Sequence, residues 1–182
     1  MRKLSFKIIA VFIIGIMAYA CDELAGLVNF DGDYYVMNFT LEPTDVTGDQ
    51  NLTVDHFQPR LDSLLNEYGL DRESLDSVTV SEAMVEVVTE GVNFDFLNSL
   101  EVTIQTGDGE PKVIAWTDAI DEGVTLINLS LSEDEIKDFL LEDQFTLKLN
   151  GFVNAAITEP VDIVAKVKFH FKGTSPSTGF GL

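Results

Sequence analysis

The feature that most constrains this chain is a period-two alternation of apolar and polar side chains that returns along its length. In AKVKFHFK, Val167, Phe169 and Phe171 alternate with Lys166, Lys168, His170 and Lys172. Successive side chains of a strand point to opposite faces, so this run can bury its apolar residues together only when extended. On a helix the same residues would be scattered around the axis. Leu100, Val102 and Ile104 alternate with Glu101, Thr103 and Gln105 in the same way, and Tyr35, Met37, Phe39 and Leu41 with Tyr34, Val36, Asn38 and Thr40. The Val-rich SVTVSEAMVEVV, and KVIAW, VTLINLSL and QFTLKLNGFVNAAI, read as further strands from their β-branched and aromatic content. Trp116, at the end of KVIAW, reads as a core residue, with sugar stacking as the alternative, and Gly107-Asp108-Gly109 before that strand reads as a hairpin turn.

Two segments change period. Phe57, Leu61, Leu64, Leu65 and Tyr68 follow helical spacing, with Gly69 placed to end the helix and His56 to cap its start. Ser132 and Glu135 match a capping box before Ile136, Phe139 and Leu140. EPTDVTGDQN, rich in Pro, Gly and Asp, reads as a loop. With no internal repeat and no βαβ rhythm, the prediction is an all-β, mainly antiparallel fold. It is an immunoglobulin-like β-sandwich of about seven strands with two short helices.

That core must hold without disulfides, because Cys21 is the one cysteine. Its position explains it. Arg2, Lys3 and Lys7 precede the thirteen uncharged residues Ile8–Ala20, too short a run to span a bilayer but suited to a signal peptide. Ala18-Tyr19-Ala20 is a small-residue cleavage site, after which Cys21 becomes the first residue. This arrangement resembles the lipobox of bacterial lipoproteins, with Ala18 in place of the usual larger aliphatic residue. The resemblance implies lipidation of Cys21, and a multiple-chain lipid anchors stably without help from the protein surface. Asp22 and Glu23 resemble both the early Asp that some sorting systems read as inner-membrane retention and the acidic residues that others read as a signal for export to the surface. The second resemblance implies an outer-membrane protein facing the cell surface, with the periplasmic side as the alternative. The predicted organisation is a signal peptide over 1–20, a tether over 21–32, the sandwich over 33–172 and a disordered tail over 173–182.

The segments LDSVTVSEAMVEV…NFDFLNSLEVTI and EIKDFLLEDQFTLKLN resemble small β-sandwich lipoproteins of unknown function from Gram-negative outer membranes. The resemblance implies the anchored sandwich and assigns no activity.

Eleven Lys/Arg, three of them in the leader, face thirty-one Asp/Glu, for a net charge of −20. Nucleic acid is excluded as a partner, since its binding rests on cationic contacts to phosphate. No G-x-S-x-G, P-loop or dinucleotide fingerprint occurs, and two remote histidines, His56 and His170, supply neither a triad nor a zinc set. Asp31, Asp33, Asp45 and Asp49 offer oxygen donors without the spacing of a calcium loop. The expectation is therefore no enzyme, no cofactor and no metal. Lys166, Lys168, His170 and Lys172 form the candidate ligand or partner face. They read either as guards of an edge strand, as cations paired with acidic neighbours, or as an anion-binding stripe. The expected function is a lipid-anchored binding or surface-assembly module whose partner is a surface protein or glycan, the alternative being a glycan-binding adhesion domain.

Overall fold

The computed structural model describes residues 26–175. The signal peptide, Cys21 and the last seven residues of the predicted tail lie outside that range. Ten strands are present among the described residues: β1 Leu27–Asp31, β2 Tyr35–Leu41, β3 Gly48–Phe57, β4 Leu75–Val87, β5 Leu97–Gln105, β6 Lys112–Thr117, β7 Leu126–Asn128, β8 Ser130–Leu131, β9 Phe145–Val153 and β10 Val161–Thr174. Two short helices join them, α1 Leu61–Glu67 and α2 Lys137–Leu141.

The strands form two antiparallel five-stranded sheets, the all-β sandwich expected from the alternation. The first has the order β1-β10-β4-β7, with β2 also paired to β10, and the second β3-β9-β5-β6-β8. β10 fills the middle of the first sheet: β4 pairs along one side, while β2 and β1 share the other, meeting its first and second halves. Its alternation becomes a strict inside-outside pattern, with Ile163, Ala165, Val167, Phe169 and Phe171 buried.

Aromatic side chains join the sheets. Tyr35 of β2 meets Phe145 of β9 edge-on at 5.0 Å and Phe57 of β3 at 5.2 Å, and Phe145 meets Phe169 of β10 at 6.0 Å. Such pairs add about 0.5–1.5 kcal/mol each beyond their buried area. α1 closes one end, burying Leu61 and Leu65. It stops where predicted: Gly69 takes φ +70°, Leu70 N–H donates to the Leu65 carbonyl at 2.9 Å and Gly69 N–H to that of Asn66 at 3.2 Å. This is a Schellman stop, whose left-handed residue favours glycine. Tyr68 then stacks on Phe30 at 3.8 Å, which stacks on Phe171 at 5.1 Å.

Several local expectations are corrected. α1 starts at Leu61, and Phe57 ends β3. Gly48–Asn51, read as loop, pairs with β9. Leu27–Asp31, read within the tether, pairs with β10, as do Gly173 and Thr174 of the expected tail with β1. The capping box does not form: Ser132 Oγ accepts from Asp134 N–H, and α2 begins only after Ile136, with no side-chain cap.

Candidate functional site

The outward face of β10 carries the predicted residues, and its neighbours decide what they can do. Because β10 is central, the edge-guarding role is overturned. Register places Lys168 opposite Glu82 of β4 and His170 opposite Asp31 of β1. Lys168 Nζ donates to Glu82 Oε2 at 3.1 Å and sits 3.9 Å from the centre of the Tyr34 ring, while the Tyr34 hydroxyl donates to the same carboxylate. Hydrogen bonds from Tyr34 and then Lys168 hold the Glu82 carboxyl below its ordinary range. Tyr34 and then Glu82 hold the Lys168 ammonium above its own. His170 Nδ1 lies 2.8 Å from Asp31 Oδ1. The structure thus brings the four residues into one row but neutralises its middle, and Lys166 and Lys172 flank that middle without an ion pair among the described residues.

The other expected positions separate. His56 does not cap a helix: it sits in β3, its Nδ1 2.8 Å from Thr146 Oγ1. Asp31 and Asp49 belong to different sheets. No group of three or more His, Cys, Asp or Glu with metal-ligand geometry exists among the described residues.

A second region, on the outward face of the other sheet, was not anticipated. A partly open cleft of about 390 Å³ lies there. Its floor is a row that runs across four strands by register, Asn51 (β3) beside Asn150 (β9), beside Glu101 (β5), beside Trp116 (β6). A second row sets Asp49 beside Phe152 beside Ser99, and Asp118 closes one side. With strands about 4.8 Å apart, the first row is about 14 Å long.

Three irregularities build this surface. Leu52 is an extra residue of β3 opposite β9, Asn98 of β5 opposite β9, and Ile114 of β6 opposite β5. Bulges bend strands and re-aim side chains. The last has the largest consequence. Strict alternation would put Trp116 on the inward face with Ile114. The extra residue buries both Ile114 and Ala115 and turns the indole outward, half-buried, correcting its expected place in the core. Gly151 lets the core close up beneath this floor, since an inward Cβ there would stand 2.9 Å from Leu52 Cδ1 and 3.2 Å from Leu100 Cδ2.

Along the same face, neighbouring polar groups satisfy one another: His56 with Thr146, and Lys148 Nζ with Gln105 Oε1 at 2.6 Å. In the cleft, the side chains of Asn51, Asn150 and Glu101 make no hydrogen bond to another described residue, whereas Gln50 is engaged by the Val46 carbonyl. The outward alternation of Asn150 and Glu101 was readable in their strands, but nothing local joined them to Trp116.

Neither a protein-family model nor a curated protein matches the chain.

Proposed function

We propose that the protein is a non-catalytic binding module, anchored in the outer membrane by a lipid on Cys21 and facing the cell surface, whose ligand occupies the cleft beside Trp116. The observation that carries this reading is the row Asn51–Asn150–Glu101–Trp116: an indole in line with unengaged amide and carboxylate groups. The volume falls within the roughly 300–1,000 Å³ usual for a small-molecule site, and the lining is mainly polar, with Trp116 and Phe152 as its large apolar surfaces. An acidic exterior keeps the domain soluble, leaving attachment to the lipid.

A thermal-shift screen of the full chain, extracted from membranes, against soluble oligosaccharides and short peptides tests the reading. A ligand at about one hundred times its Kd should raise Tm by about 5–10 °C, and Trp116→Ala should remove the shift. If no ligand of any class shifts Tm, or the shift survives in the variant, the cleft is not the site. Cleavage of a bound oligosaccharide would replace the non-catalytic reading with a hydrolase. The anchor is tested apart from this, by the mass of the mature N-terminal peptide: an unmodified Cys21 would overturn the membrane placement and leave the cleft untouched.

A further inference from the structure

We infer that the ligand of the cleft is an uncharged glycan, an inference that rests on the reading of the cleft as the ligand site. Hydrogen-bonding capacity carries it. Asp49, Glu101 and Asp118 only accept when ionised, so the ligand must bring donors and no negative charge of its own. Asn51 and Asn150 each carry an amide that donates as well as accepts. A lysine or arginine side chain donates only, so a basic peptide would have to serve those amide N–H groups with its backbone carbonyls. A sugar hydroxyl donates and accepts at once and satisfies both kinds of partner. The π-face of Trp116 supplies an apolar platform for the C–H face of a pyranose ring. The row's length, across four strands, suits a chain of rings better than a single one. The lysine face on the opposite sheet, the place an acidic glycan would seek, is instead partly neutralised from within by Glu82 and Asp31.

The test is calorimetric titration of the full chain with neutral hexasaccharides of gluco, manno, galacto and xylo configuration. A hexagalacturonate, a chitosan hexamer and a Lys/Arg-rich peptide serve as charged counterparts. Trp116 is the one tryptophan of the chain, so its emission reports occupancy of this cleft alone. A neutral hexasaccharide should bind, perturb the emission, and change Kd by less than about twofold between about 0.05 and 0.5 M NaCl, since an uncharged ligand has nothing to screen. Trp116→Ala should weaken it by about tenfold or more, and Asn150→Ala, which keeps the indole, by about two- to tenfold. Lys166→Ala should leave Kd unchanged. Preference for the galacturonate, the chitosan or the peptide, if dependent on Trp116, would overturn the uncharged glycan and keep the cleft. If nothing in the panel perturbs Trp116, the inference falls, and only the wider thermal-shift screen then decides whether the cleft binds anything.

Discussion

The outward faces of the two sheets present the same raw material, polar side chains in rows across antiparallel strands, and treat it in opposite ways. On the first sheet, register sets side chains that can donate against carboxylates: Lys168 meets Glu82, His170 meets Asp31, and Tyr34 covers the ammonium. On the second, register sets Asn150 between Asn51 and Glu101, and none of the three side chains hydrogen-bonds to another described residue. The middle of the first face is internally satisfied, with Lys166 and Lys172 beside it unpaired among the described residues, while the cleft of the second face is open to a visitor. What separates them is the backbone. Bulges of β4 opposite β10, one of them next to Lys168, still leave Lys168 facing Glu82, whereas bulges beside β9 and in β6 turn Trp116 outward and hollow the surface. The row of charges most conspicuous in the sequence is therefore the less available one.

The two faces share a core, so the largest effect should strike both. Phe145 is fully buried against Tyr35, Phe57 and Phe169, the contacts that tie β9 to β2, β3 and β10. Phe145→Ala should cost about 3–5 kcal/mol, from lost transfer energy and the cavity left behind. Denaturant unfolding followed by circular dichroism would read it as a lower midpoint. A loss under about 1 kcal/mol would mean the sheets are not held together at this cluster.

Gly151→Ala separates the faces. Its Cβ would press on Leu52 and Leu100 and stand 3.3 Å from the Ser99 carbonyl oxygen. Overpacking of this kind costs about 1–3 kcal/mol. It should also lift the bulge of β3 and weaken any ligand of the cleft, while the Lys168–Glu82 pair stays in place. A variant as stable as the parent that binds equally well would break the link between this glycine and the shape of the cleft.

The strand faces could be read from sequence wherever alternation ran unbroken, as in β10, β2 and most of β5, because burial on one face imposes period two directly. Reading failed where the backbone slipped. Trp116 looked like a core residue because parity from Ile114 pointed it inward, and an extra residue in a strand leaves no mark in composition. β3 was hidden for another reason. It is an edge strand, so Gly48, Asp49, Gln50 and Asn51 meet no demand for apolar side chains and look like a loop. His56 followed the same error, since a strand read as a loop made the next periodic residues look like a longer helix. The cleft itself was beyond a local reading, for its row draws on positions 51, 101, 116 and 150, brought together only by pairing. The lysine row was visible as a set, but the carboxylates that quiet it come from β1 and β4, far away in the chain.

Thr103 sharpens the comparison, because it breaks the habit of satisfied neighbours on the second face. It sits one row beyond Glu101, 5% exposed, with its Oγ1 unpartnered. A buried hydroxyl without a partner destabilises, so Thr103→Val should raise stability by about 1 kcal/mol, read as a higher denaturant midpoint at unchanged slope. A loss would show that the hydroxyl has found a bound water, and with it a place in the polar surface of that sheet.

The smallest effect tests whether the first face is as self-contained as its geometry suggests. Glu82 is held below its ordinary range, so its contribution is present above the unfolded glutamate pKa of about 4.3 and is lost as pH falls through the lower folded value. Lys168 is raised, so its share is present below about pH 10.4 and is lost as pH climbs through the higher folded value. The pair lies at the surface and is only partly buried, and the expected shift in Tm is small. The pH profile carries the information. Glu82→Gln should lie slightly below the parent at neutral pH, and the gap should close once the parent's carboxylate is protonated in acid. Lys168→Met should show the mirror image, its gap closing only in strong base. No gap for Glu82→Gln even at neutral pH would mean that Tyr34, donating equally well to an amide oxygen, holds this face together without the charge.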